Sequence, residues 1–596
     1  MQRSLAILTL LILCAGAGWW FLRPTSVPDT SEVTDANAPV ETTSPAFAGL
    51  DEVKQKEIWD AEHVTFEIET HVGRRLVTSL QERSADALAE FYVDGFSGVV
   101  PNRTTATITE KMPLTETAFS VEAHGSEELD ADGFSRFLID GISAVPQDAG
   151  GRFRVLKIAR VADGSNADTW ELDVLLTLGG ADSDGRSVAY VSHGNMQCRF
   201  SDDEDIIAGR IIESWHVDSE SLRISGQELM EEVTSDAGLS KLQIVDNWEC
   251  GTDKVRQYRF QTAVDDFNAD GFPDIAVATA DAQQFVLQWS PQTGQYQDVT
   301  RLLGLPTAIR SENRAYLACW IDFDDDGFVD LLLGETLFRN VEGKSFEPVR
   351  DNGGLKLGYN PMGSVVADYD GDGRLDLYVL YQRTRNGVQS DKPPAWVGDD
   401  DTGADNQLWK NRGDGTFIEK ARLAGATGGR RHSFAATWLY ANEDHYPDLY
   451  VANDFSRNSL LINQGDGSFR DVADESGVGD FATSMGVASG DINGDGTPEI
   501  YVANMYSKMG RRIIAQVSAG DYPTGVYEQL VGSCAGNRMY STSGDVSQFQ
   551  ELSEQLGVNA VGWAYAPAFA DFDGDGLLDL YATTGFLSFD RRKPDG

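Results

Sequence analysis

The chain runs to 596 residues and carries 94 acidic against 48 basic residues, a formal net charge of −46. That balance excludes nucleic acid as a natural partner. The length calls for more than one domain.

In chain order, Met1-Gln2-Arg3 precede an uncharged stretch from Leu5 to Leu22, closed by Arg23-Pro24. Such a stretch is just long enough to cross a bilayer, and Trp19 and Trp20 sit where an interfacial anchor would. Ala15-Gly16-Ala17 offers the small residues of a cleaved signal peptide as the rival reading. Residues 1–23 are expected to export the remainder of the chain as a signal anchor or signal peptide. The only membrane contact is expected through this segment. No Lys or Arg occurs between Arg23 and Lys54, which favours translocation. Residues 24–49 hold four prolines and many Thr, Ser and Ala, the composition of a flexible tether.

Residues 50–227 read as an α+β domain. Val64, Ile68, Val72, Leu76 and Leu80 mark an amphipathic helix, and a second helical piece covers Ala85 to Val93. Trp170, Leu172, Val174, Leu176 and Leu178 alternate with polar residues as in a strand. SVAYVSHGNMQCRF and IIAGRIIESWHV read as further strands. This element order resembles the nuclear-transport-factor-2-like cone. His193 and His216 fall on the strands, where neighbours are expected to satisfy them rather than chemistry to use them. Cys198, Cys250, Cys319 and Cys534 are scattered, and Cys319 in YLACWIDF reads as a buried thiol.

From residue 228 an acidic nonapeptide recurs: DFNADGFPD, DFDDDGFVD, DYDGDGRLD, DINGDGTPE and DFDGDGLLD. Positions 1, 3, 5 and 9 of each are hard oxygen donors, the ligand class of calcium. The candidate ligands are Asp266, Asn268, Asp270 and Asp274; Asp322, Asp324, Asp326 and Asp330; Asp368, Asp370, Asp372 and Asp376; Asp491, Asn493, Asp495 and Glu499; and Asp571, Asp573, Asp575 and Asp579. Glycine at position 6 permits the positive φ of a tight loop. So many carboxylates in nine residues repel one another unless a cation sits among them, so about five structural Ca²⁺ sites are expected. An EF-hand needs a bidentate Glu at position 12. Here that position holds Val277, Leu333, Val379, Val502 and Ala582. A degraded copy, YANEDHYPD, puts Tyr440 at position 1 and His445 at position 6. It keeps Asn442, Asp444 and Asp448, and is expected to keep the turn and lose the metal.

Each loop is followed by an apolar strand and a second signature, such as LFRNVEGKSFEPV, LWKNRGDGTFIEK or LLINQGDGSFRDV, that reads as strand, turn, strand. Counting Tyr440, loop starts lie 56, 46, 72, 51 and 80 residues apart. Four short strands at such a period are a propeller blade. The long intervals carry an insertion after Gln382 and a helical segment around MGRRIIAQVSAG. LMEEVTSDAGL from Leu229 matches the end of a blade; that strand is expected to complete the last one, the alternative being a truncated sequence with a further module missing.

These units resemble FG-GAP/VCBS repeats, the calcium-binding blades of integrin-α-type propellers. The GVASGDINGDGTPEIYVANM and GWAYAPAFADFDGDGLLDLY stretches are similar to cartilage-acidic-protein (ASPIC)-like repeat proteins. The resemblance covers residues 228–596 and implies a six- or seven-bladed β-propeller with calcium in hairpin loops on one face. The chain departs from the family at Tyr440 and lacks its short C-terminal module. Family members are mostly binding or adhesion proteins. The expectation is therefore an exported, mainly β, calcium-stabilised, non-catalytic scaffold for an extracellular protein or glycan. The alternative is an extracellular polysaccharide lyase or hydrolase with structural calcium.

Overall fold

The computed structural model describes residues 50–585 apart from 112–113, 162–168, 227–229, 243–259, 280–282, 309–314, 383–402, 443 and 523. The expected export segment 1–23, the linker 24–49 and the insertion after Gln382 lie outside the described residues. Among the described residues, no helix is long and apolar enough to cross a membrane. Two compact units emerge: Gly49–Glu232 together with Lys508–Asp521, and the repeat region Val233–Ser507 with Tyr522–Gly596.

The first unit opens with helix Glu52–Glu67, capped by Asp51, whose carboxylate accepts from Lys54 N at 2.8 Å. The helix passes through a π-helical turn, Ile68–Gly73, into Arg74–Gln81. Val64, Ile68, Val72, Leu76 and Leu80 are all buried. Four α-helical residues overshoot a full turn by about 40°, so a strict four-residue stripe drifts around the helix. The wider π turn underwinds it and keeps the stripe on one side.

Eight strands form one sheet: β1 (Tyr92–Pro101), β2 (Thr107–Lys111), β3 (Leu114–Ser120), β4 (Ser126–Leu129), β5 (Gly150–Arg160), β6 (Thr169–Ala181), β7 (Ser187–Arg199) and β8 (Ile212–Ser225). The order is β2-β3-β8-β7-β6-β5. The first half of β8 pairs with β1 in parallel and its second half with β3 antiparallel. The sheet curls into a half-barrel, and its buried Leu172, Val174, Leu176 and Trp215 join the helical stripe in one core. The second helix stops at Ala89 and β1 begins at Tyr92, earlier than the expected Val93. Tyr92 stacks on Phe96 at 4.1 Å and meets Phe134 edge-on, so the aromatic core claims it for the sheet. Helix Ala131–Gly141, which supplies Phe134, had no clear periodic signal between its glycines and acids.

The segment around MGRRIIAQVSAG is helical over Lys508–Ile514, as expected, but it belongs to the first unit. Arg512 reaches Glu62 twice, at 3.2 and 2.9 Å, and the carbonyl of Val155 at 2.9 Å. Both side chains of this ion pair are under a tenth exposed.

In the repeat region the described residues form three four-stranded antiparallel sheets, an eight-stranded sheet in which two further four-stranded units are joined where Asp454–Arg457 pairs with Phe481–Thr483, and one two-stranded sheet. The third is typical: Pro361–Ala367, Asp376–Tyr381, Gln407–Asn411 and Phe417–Glu419 pair in that order. An acidic loop joins the first two strands of every sheet. Apolar faces of successive sheets meet, as where Cys319, Leu332 and Leu337 pack with Leu377, Val379 and Trp409. First strands crowd together, so that a Cβ on Gly486 would lie 1.5 Å from Tyr565 O. Cys198 and Cys319 are free, buried thiols.

Turns after four of the strand sets repeat one backbone bond five residues long: Leu305 N to Thr300 O, Ala426 N to Ala421 O, Val478 N to Ala473 O and Val558 N to Ser553 O. Leu239 N to Thr234 O makes the same bond ahead of the first sheet. There Ala237 O accepts from Tyr296 N in the first sheet's fourth strand, as Leu303 O accepts from Phe346 N in the second's.

Loops and sheets are joined by a relay of buried polar groups. The position-9 carboxylates of Asp330, Asp376 and Asp448 are wholly buried. One oxygen of each accepts from the amide at loop position 2, of Phe323, Tyr369 and Ala441. The other accepts from a third-strand amide, of Asn340, Asn411 and Asn463, at 2.7–2.8 Å. Each Asn then donates its side-chain amide to the position-2 carbonyl of the preceding sheet's loop: Phe267, Phe323 and Tyr369.

Two variants test these contacts by chemical denaturation of the intact chain. Asn411→Ala strands buried carbonyls and is expected to cost about 3 kcal/mol. Glu62→Gln leaves the Arg512 guanidinium buried beside a neutral partner and is expected to cost about 3 kcal/mol. A change below about 0.5 kcal/mol, the size of an ordinary surface substitution, would contradict either assignment.

Candidate metal centre

Every intact loop is built the same way. The position-1 carboxylate accepts from the amides at positions 5 and 6. In the third loop these are Asp372 N to Asp368 Oδ1 at 3.0 Å and Gly373 N to Asp368 Oδ2 at 2.8 Å. Asp266, Asp322, Asp491 and Asp571 do likewise. The position-6 glycine takes positive φ, 84° at Gly373, where a side chain is strained. The position-5 residue turns back to the amide at position 7, as Asp326 does to Phe328 N and Asp575 to Leu577 N. In the degraded copy Tyr440 supplies no such cap, yet Asp444 still accepts from Tyr446 N and Asp448 keeps its place in the relay.

Three loops bring carboxylates from positions 1, 3 and 9 together, with one oxygen of each within 4.8 Å of the others. They are Asp322, Asp324 and Asp330; Asp368, Asp370 and Asp376; and Asp571, Asp573 and Asp579. Such groups could hold a cation. The Asp266 and Asp491 loops form no group of that kind among the described residues. Both have Asn at position 3, and its side-chain amide satisfies a neighbour: Asn268 donates to Asp270, and Asn493 to Glu499. The positions 5 expected as ligands, Asp270, Asp326, Asp372, Asp495 and Asp575, lie outside the close groups. Position 12 falls inside buried strands at Val277, Leu333, Val379 and Val502, which excludes the EF-hand geometry.

The electrostatics suit a bound cation. Asp324 Oδ1, Asp370 Oδ1 and Asp274 Oδ2 are buried without a hydrogen-bond partner. A buried carboxylate oxygen is costly unless something positive meets it. Burial pushes Asp274 up to about 6, and Asp330, Asp376 and Asp448 up to about 7.

Sequence reading missed two sets of residues. One is the relay asparagines Asn340, Asn411 and Asn463, visible in the signature as the N of FRN, WKN and LIN. The other is a cation from the third strand. Lys410 Nζ pairs with Asp370 and lies 3.1 Å from Asp372, while Arg339 Nε lies 3.6 Å from Asp324. In the first unit His193 bonds Asp173 at 2.6 Å, which holds its imidazole above the usual histidine range. His216 Nδ1 lies 3.8 Å from Asp218. Two arginines are partly structural: Arg431 donates to Asn458 O and Ser459 Oγ, and Arg512 is bound to Glu62.

A family model described as FG-GAP-like repeat matches residues 266–333, 322–379 and 441–502. Cartilage acidic protein 1 of Mus musculus is 28% identical over 172 residues, 23% of this chain and 26% of that protein. The Xenopus tropicalis protein of that name is 24% identical over 386 residues, 55% of this chain and 58% of that protein. The chain thus spans less than two thirds of either relative. A solved protein of unknown function with a cystatin-like fold from Methylobium petroleophilum PM1 matches at 9% identity, covering 26% of this chain and 75% of that one. Its TM-score of 0.15 carries no structural argument. Residues 266–379 and 441–502 thus carry FG-GAP-like repeats, and the chain is similar to cartilage acidic protein 1.

Proposed function

We propose that the chain is an exported scaffold whose acidic loops bind calcium and whose repeat unit closes into a six-bladed propeller. It would display that ring to an extracellular protein or glycan without catalysis. In this reading residues 1–23 export the chain and 24–49 tether it. Residues 50–227 form the first domain, joined by Lys508–Asp521, and 228–596 otherwise form the propeller.

The observation that carries the calcium reading is the set of buried, partnerless carboxylate oxygens at Asp274, Asp324 and Asp370. Hard oxygens at this density suit calcium, and extracellular sites of this type bind at about 10⁻⁴–10⁻³ M. Closure is supported by the bond from Tyr296 N to Ala237 O. Export is supported by the apolar stretch at Leu5–Leu22. The scaffold role is supported by the acidity shared with relatives named as acidic proteins.

Calcium removal tests the reading directly. Chelation of the intact chain is expected to lower its melting temperature by many degrees and added calcium to restore it; an unchanged curve would contradict structural calcium. In a calcium titration Asp324→Ala should lose one site, whereas Asp444→Ala should keep the wild-type number. A glycan panel should show saturable binding without product release; turnover would contradict the scaffold role.

pH gives an independent check. In chelator the folded carboxyls of Asp330, Asp376 and Asp448 hold protons up to about 7, while the unfolded chain releases them near about 4. The folded state then binds more protons between those limits, so stability should fall as pH rises from about 4 to about 7. Calcium should abolish most of that fall, because it binds the ionised form. A chelated protein growing more stable over that range would contradict the assignment.

A further inference from the structure

Resting on the calcium reading, we propose that Lys410 is a built-in competitor for the cation, making the Asp368 loop the weak calcium site among the three-carboxylate groups. The relay fixes which residue can act this way. Asn411 N bonds Asp376, so the preceding residue, Lys410, lies beside the acidic loop. The same bonds from Trp289 N, Asn340 N and Asn463 N put Gln288, Arg339 and Ile462 at the matching place in their sheets.

These residues follow the charge of their loops. Ile462 stands beside the loop that lost its first ligand to Tyr440, and it is buried in the core. Arg339 keeps 3.6 Å from Asp324 and leaves Asp324 Oδ1 partnerless. Lys410 goes further: its ammonium sits against both Asp370 and Asp372, and its side chain is only 27% exposed. Arg374 adds a second cation at 2.5 Å from Asp372. Burial works against the charge on Asp372, yet Lys410 and Arg374 outweigh it and hold the carboxyl below its ordinary value. The Asp368 loop thus carries two positive charges of its own, where its Asp322 counterpart has one, more distant. A calcium ion entering it must displace the ammonium from Asp370 and then share the site with it. The loop stays ordered at calcium levels that empty the others, and it fills last.

Calorimetric titration of the dialysed intact chain with calcium tests this. Lys410→Met is expected to raise the affinity of one site by about tenfold or more, the effect of removing a unit charge a few ångströms away. Lys410→Arg should keep the wild-type profile. Gln288→Lys, which installs the competitor beside the Asp266 loop, should weaken one site by a similar factor. It decides the matter even if Lys410→Met does not fold. Wild type that binds calcium, with Lys410→Met or Gln288→Lys leaving the profile unchanged, would overturn the competitor role and leave the calcium reading standing. Wild type that takes up no calcium would overturn both.

Discussion

The repeat region is organised by the buried carboxylate at position 9 of its loops, seen in full at Asp330, Asp376 and Asp448. At position 9 of the loop it is desolvated, accepts a loop amide on one side and a third-strand amide on the other, and so fixes the hairpin to the sheet. The third-strand asparagine carries the constraint on to the previous loop through Phe267, Phe323 or Tyr369. Loops are thereby coupled to sheets and sheets to one another, in a polar layer that a hydrophobic core alone would not specify. Buried polar networks of this kind are stable only when every member is satisfied. The backbone satisfies Asp330, Asp376 and Asp448, while the position-3 oxygens Asp324 Oδ1 and Asp370 Oδ1 face them without a hydrogen-bond partner.

This separates two roles that look alike in the sequence. Asp448 belongs to a loop without a first ligand, yet it is as buried and as firmly bonded as Asp376. The position-9 acid is therefore an architectural element that a cation can also use. Position 3 is where loops diverge. With Asn the side-chain amide bonds a neighbouring carboxylate, as Asn268 does Asp270; with Asp, one oxygen of Asp324 and of Asp370 has no hydrogen-bond partner. The supply of positive charge, from an ion or from Lys410 and Arg339, then sets how each loop is balanced.

Much of the repeat unit was legible because its constraints are local. Ligand-type residues lie within nine positions, glycine marks the positive φ, and apolar runs come next. The asparagine relay was in plain view in FRN, WKN and LIN, but its meaning lies in a partner 73 to 94 residues away. Lys410 was hidden for the same reason, 40 residues from Asp370. In the first unit the Val64 to Leu80 stripe announced its helix and the β6 alternation its strand. The placement of Lys508–Asp521 could not be read, because an ion pair between Arg512 and Glu62 joins residues 450 apart.

Amide hydrogen exchange, followed peptide by peptide with and without calcium, tests the central claim most directly. If loop charge and sheet form one cooperative unit, chelation should speed exchange in the third strands Thr336–Val341 and Gln407–Asn411, with the larger effect in the first, which has no lysine at its loop. The strand Ser459–Asn463, paired with the loop at Tyr440, should change least. Equal protection of all three strands in both conditions would contradict the account.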